Sequence, residues 1–88
     1  MPDDTPRAAA LTLHAVRLLG FADTTRVAAR YALDREGTTS VLEDFRARGW
    51  VRRSEFAGTA GWSLTDLGRA EDERLLADEL AAAGARER

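Results

Sequence analysis

A mainly helical domain carrying one small β-hairpin is the fold class that this chain predicts, and three features of its patterning predict it. Apolar residues recur at helical spacing in three successive segments up to Arg48, the period shortens to two after Gly49, and a long helical segment follows Thr65. Eighty-eight residues, 44% of them hydrophobic and 32% charged, leave room for a single modest core, so residues 1–88 are expected to form one domain. With no staple in the chain, its stability must come from apolar packing.

Thr5 followed by Pro6 is a helix-start signal, because the hydroxyl accepts an orphan N–H and proline sits harmlessly in the first turn. The first helix then runs to about Leu19, with Leu11, Ala15, Leu18 and Leu19 as its expected buried stripe and Gly20 as its stop. Asp23 caps a short second helix ending near Ala32, in which Val27, Ala28 and Tyr31 share a face. Leu33 is an apolar plug in the turn. Asp34 caps a third helix over about Arg35 to Arg48, whose apolar side is Val41, Leu42 and Phe45, and Gly49 closes it in a left-handed conformation.

Two strands follow, Trp50 to Phe56 and Trp62 to Thr65, joined by the small-residue turn Ala57-Gly58-Thr59-Ala60-Gly61. Thr65 or Asp66 caps a last helix through about Ala83, with Leu67, Leu75, Leu76 and Leu80 as its apolar content and Gly84 as its stop. Residues Ala85 to Arg88 are expected to fray. The order is helix, helix, helix, strand, strand, helix, with a short strand around Phe21 as an option for closing the sheet. That is the order of a winged helix-turn-helix: the helix-turn-helix at about 23–48, the wing at about 50–65 and the C-terminal helix at about 66–83.

The stretch Asp23 to Val51, DTTRVAARYALDREGTTSVLEDFRARGWV, resembles without a gap the helix-turn-helix of MarR-like winged-helix transcriptional regulators. Val27 and Ala28 match the buried pair of the family's second helix, Leu33 its turn hydrophobe, and Leu42 and Phe45 the inward side of its recognition helix. Gly49-Trp50-Val51 resembles the Gly-Leu-Val exit into the wing, and Trp62-Ser63-Leu64-Thr65-Asp66-Leu67-Gly68 the Leu-Thr-x-x-Gly signature that ends it. The resemblance covers roughly residues 10 to 80. It implies a regulator that binds double-stranded DNA.

On the third helix, the polar residues left outward near the N-terminal end are Arg35, Glu36, Thr39, Ser40 and Glu43, and a recognition helix presents that end to the major groove. Arg35 suits guanine, Thr39 and Ser40 suit bases or phosphates, and Glu43 suits the N4 amino group of cytosine. Thr24, Thr25, Arg26 and Arg30 on the second helix are expected beside the same groove, with donors at the helix start suited to phosphate. Arg52 and Arg53 stand at the base of the wing. The wing tip, Gly58 to Gly61, lacks the basic residues that many DNA binders carry there.

Charge divides along the chain. Arg7 to Arg53 holds nine arginines against five acids, whereas Ser54 to Arg88 holds four against eight, within a net charge of −2. Seventeen alanines, thirteen arginines and no lysine look like the codon bias of a GC-rich genome, which lowers the weight of any single arginine. Glu36, Glu43 and Asp44 oppose phosphate on or next to the reading face, and Arg46 and Arg48 have the spacing to pair with such acids or to complement the helix C-terminus. Trp50, Phe56 and Trp62 are expected to be core residues rather than a stacking platform, with Phe56 nearest the wing's open end.

Leu75, Leu76 and Leu80 extend past the length needed to cover one small core, so a homodimer through the last helix, with the first as a further element, is expected. Such a dimer would set two recognition helices about 34 Å apart. The competing arrangement folds this helix back across the first in a monomer. No enzyme is expected: cysteine and lysine are absent, and Ser40, Ser54 and Ser63 have only His14 as a candidate base, itself expected to be a packing or surface residue. No catalytic residue, metal site or cofactor is therefore assigned. An acidic N-terminus and the lack of an apolar run near 18 residues point to a cytoplasmic protein without a membrane partner. The alternative function is a winged-helix accessory module that docks another protein and does not bind DNA.

Overall fold

The computed structural model describes the backbone of residues 5–86 and the side chains of residues 7–78. Its elements are α1 (Thr5–Leu19), β1 (Phe21–Ala22), α2 (Thr24–Arg30), α3 (Arg35–Ala47), β2 (Val51–Phe56), β3 (Thr59–Leu64) and α4 (Asp66–Arg86). The three strands form one antiparallel sheet in the order β1-β3-β2, with Ala22 opposite Trp62 and Val51 opposite Leu64. This is a winged-helix fold, and the strand at Phe21 does close the sheet.

The core joins Leu13, Ala15 and Val16 of α1 to Val27 of α2, Leu42 and Phe45 of α3, Val51 of β2 and Trp62 of β3. The expected stripe of α1 is rotated by part of a turn. Leu13 and Val16 are buried, Leu19 is partly buried and packed on the core, and Leu18 is exposed. The helix is covered by α2, α3, β3 and α4 together, so its apolar surface is wider than one stripe. Thr12 and Thr38 are buried as well, with the Thr12 hydroxyl donating to the Ala8 carbonyl at 2.7 Å. Leu33 and Tyr31 are half-buried.

Local chemistry explains the element ends. Asp23 accepts the Arg26 amide at 2.8 Å and Asp34 accepts the Gly37 amide at 2.8 Å, which satisfies an orphan donor at the start of α2 and of α3. Gly49, at φ +80°, takes the left-handed conformation that a side chain disfavours and lets the chain leave α3 for β2. Thr65 does two tasks at the start of α4. Its hydroxyl donates to the Gly49 carbonyl at 2.6 Å and accepts the Gly68 amide at 3.0 Å, so one side chain ties the exit of α3 to the start of α4.

Three expectations are corrected. The turn is two residues, Ala57-Gly58, both at positive φ (53° and 80°), and Thr59 to Gly61 belong to β3, because such a turn carries the twist of a tight hairpin. Gly84 does not end α4, which runs to Arg86; one glycine weakens a helix without stopping it when alanines surround it. Phe56 is not core: it is 72% exposed, beside the Ala57-Gly58 turn at the tip of the hairpin. Ala85 and Arg86, expected to fray with the last residues, belong to α4; Glu87 and Arg88, the Thr5 cap and the Leu80 side chain lie outside the described residues.

Candidate nucleic-acid interface

Arg26 and Arg30 lie four residues apart on α2, and both are exposed, opposite the buried Val27 and Ala28. On α3, Arg35, Glu36, Thr39, Ser40 and Glu43 are all exposed while Leu42 and Phe45 point inward. The polar edge of the third helix thus faces outward from a packed three-helix body. Arg52 and Arg53 stand on β2 opposite Ser63 and Trp62, at the end of the hairpin nearest the core. Arg46, Val51, Arg52, Arg53 and Thr65 line one open groove between α3 and the wing.

Trp62 organises the middle of this surface. Its indole N–H donates to the Thr24 hydroxyl at 3.0 Å, and the Arg53 guanidinium lies 5.5 Å from its ring centroid, a cation–π distance. Thr24 is therefore half-buried and committed to the core, not a free outward group; Thr25 beside it is exposed. Trp50, half-buried, packs on Phe45 and under the Arg48 guanidinium.

The starts of α2 and α3 each already carry an acid. The Asp23 and Asp34 carboxylates each accept one of the helix-start amides, and the Thr39 hydroxyl donates back to the Arg35 carbonyl at 2.9 Å. The exposed cations of this surface are all guanidinium groups. Among the described residues, Arg26, Arg30, Arg35 and Arg52 form no ion pair with an acid, and Arg30 leans over the Tyr31 ring at 5.0 Å. Two acids are locally matched: Glu43 lies 3.8 Å from both Arg46 and Arg53, and Asp44 is 2.9 Å from Arg48. Arg46 was legible only as a partner of those acids, yet it lines the groove with Arg52 and Arg53.

A second polar cluster lies between α1 and α4. Asp72 of α4 is 2% exposed and sits 3.1 Å from His14 Nδ1 and 3.1 Å from Arg17 Nη1, both on α1. Nothing in the apolar spacing marked it, although His14 and Arg17 share a helix face. Beside it, Arg7, Ala10, Leu11, His14, Leu75 and Leu76 line a small cleft of about 120 Å³ between α1 and α4. Leu75 packs against the core, whereas Leu76 is 45% exposed. Among the described residues no group of three or more metal-ligating side chains occurs, and no helix is long and apolar enough to cross a membrane.

No family sequence model and no curated protein matches the chain. Solved structures do match in fold. BpsR of Bordetella bronchiseptica, in a structure concerned with regulation of its DNA binding by 6-hydroxynicotinic acid, superposes at TM-score 0.74 with 26% identity, over 86% of this chain and 57% of its own. The MarR family transcriptional regulator SPO1453 of Silicibacter pomeroyi gives 0.71 with 27% identity, over 89% of this chain and 57% of its own. TubR of Bacillus thuringiensis, bound to 24 bp of tubC, gives 0.66 with 19% identity, over 83% and 82% of the two chains. The chain spans little more than half the length of the first two.

Proposed function

From a MarR-like winged-helix fold as the premise, we propose that this chain is a DNA-binding transcriptional regulator, not an enzyme, that reads a short duplex site through α3 and the base of the wing. The observation that carries the reading is the outward polar edge of α3 beside four arginines with no ion-pair partner among the described residues. Arg35 and Ser40 face base edges in the major groove, and Thr39 offers its remaining acceptor capacity there. Thr25, Arg26, Arg30, Arg52 and Arg53 hold the flanking phosphates, which fixes register without carrying sequence information.

A homodimer fits the same reading. Leu76 and the cleft it lines offer an apolar face on α1 and α4, and a two-fold pair of recognition helices matches a pseudo-palindromic site. Titration of genomic fragments at low ionic strength tests the proposal. Binding should weaken with salt, Arg52→Ala should reduce the salt slope by about one, and Arg35→Ala should cost about 1–3 kcal/mol on the preferred site only. Absence of salt-dependent binding, or binding unchanged in both variants, contradicts it.

A protein-docking role is the second reading, favoured by the exposed Phe56, which meets Phe21 edge-to-face at 5.9 Å on the outer face of the sheet. A stable complex that shields Phe56 and forms without DNA would establish it.

A further inference from the structure

Glu43 occupies an unusual place for an acid on a surface built to meet phosphate. It lies one turn of α3 before Arg46, and its two carboxylate oxygens are divided between elements: Oε2 is 3.8 Å from Arg46 Nη1 on the same helix, and Oε1 is 3.8 Å from Arg53 Nη1 on β2. These distances exceed hydrogen-bond length, so the carboxylate acts on both guanidinium groups through charge and is not locked to either. All three side chains are about half exposed, which leaves them free to exchange partners with a ligand in the groove. Arg53 is held from its other side by the Trp62 ring, and Trp62 by Thr24 of α2. Among the described residues, Glu43 is thus the one acid within ion-pair distance of cations on both the third helix and the wing.

Asp44, its chain neighbour, is a natural contrast. It pairs with Arg48 at 2.9 Å and lines a different depression, with Ala9, Trp50, Glu71 and Leu75, away from the wing. Two adjacent acids of equal charge therefore stand in two different electrostatic settings.

Resting on the DNA-binding reading above, we infer that Glu43 is a specificity gate: its carboxylate stands in for phosphate between Arg46 and Arg53, suppresses binding to arbitrary duplex, and is compensated only where the N4 amino group of a cytosine donates a hydrogen bond to it. The physical logic is a difference of affinities. On any duplex, a phosphate entering the groove must compete with an anion already there, and Glu43 itself is repelled. On a matching site the same carboxylate gains a base-edge donor in the major groove, and both arginines pass to phosphate. Discrimination comes from penalising the wrong partner as much as from rewarding the right one.

The experiment compares the wild-type chain with Glu43→Gln and Asp44→Asn, each checked for an unchanged helical circular-dichroism spectrum, by anisotropy titration against a random-sequence duplex and against the duplex the wild type selects from a random library. Glu43→Gln should bind random duplex about tenfold tighter at low salt with a salt slope steeper by about one, and its selected sites should lose one cytosine preference in each half-site. Asp44→Asn, the same change in net charge, should shift random-duplex affinity by less than about twofold. Equal shifts in the two variants, or no shift from Glu43→Gln while the wild type binds duplex in a salt-dependent way, overturn the gate and leave the DNA-binding reading standing. Absence of binding by every variant overturns both.

Discussion

Gly68 accepts no side chain, since a Cβ there would lie 1.9 Å from the Trp50 carbonyl oxygen. The close approach lets α4 start directly against the exit of α3, where Thr65 bonds both Gly49 and Gly68. Gly68→Ala should therefore cost about 3 kcal/mol of unfolding free energy, read as a lower urea midpoint with an unchanged slope, through backbone displacement rather than lost contact. Asp72 carries a different kind of demand. Its buried carboxylate is held by His14 and Arg17, so Asp72→Ala should cost about 2 kcal/mol, more than Arg17→Ala, which leaves the carboxylate its imidazole partner. Of these two residues, Gly68 was marked in the sequence by a signature motif and Asp72 was not. A glycine inside a wing-to-helix signature is readable from one segment, whereas a buried acid gains meaning only when α1 and α4, 58 positions apart at His14 and Asp72, are brought together.

Helix starts were legible because each is written in a side chain that acts locally: Asp23, Asp34 and Thr65 all accept the expected amide. The hairpin was less so. Five small residues, Ala57 to Gly61, read as a turn, but Gly61 is small because Phe21 lies across β3 at that point, with its Cζ 2.7 Å from where a Cβ would stand. A residue needed for packing between strands looks in the sequence like a residue needed for turning. On α4, Arg74 bonds Glu71 and Asp78, and that bond holds the Glu71 carboxyl below its ordinary 4.5, with the positive Arg74 and Arg48 adding to the effect against partial burial. Because the folded-state value is depressed, this contribution to stability is present above pH 4.5 and lost as pH falls through the lowered value. The stability gap between wild type and Glu71→Gln should accordingly close on acidification, and a gap that widens instead would refute the pairing. Leu76 tests the α1–α4 face: Leu76→Asp should weaken self-association by roughly 10–100-fold in sedimentation velocity, the worth of one buried leucine. An unchanged sedimentation profile in a chain that does dimerise would place the interface elsewhere.

Across the molecule, the basic stretch Arg7 to Arg53 becomes most of α1, β1, α2, α3 and the base of the wing, and the acidic stretch Ser54 to Arg88 becomes the remainder of the wing and all of α4. Fold and gross charge layout were legible because they follow from periodicity and from the order of elements. The exposure of the candidate interface residues was legible in outline only. Arg26, Arg30, Arg35 and Arg52 are exposed as expected, but Thr24 turns in to Trp62, and one amide at each helix start is taken by Asp23 or Asp34. Such commitments are made by partners distant in sequence, which spacing along one helix does not encode. The account's central claim is that α3 and the wing base form the surface that meets duplex DNA. Amide chemical-shift mapping of the labelled chain on addition of its preferred duplex tests this most directly. The predicted result is perturbation concentrated in Thr25–Arg30, Arg35–Arg46 and Val51–Arg53, with α4 beyond Asp72 unmoved. Perturbation centred on the α1–α4 cleft, with α3 silent, would contradict it.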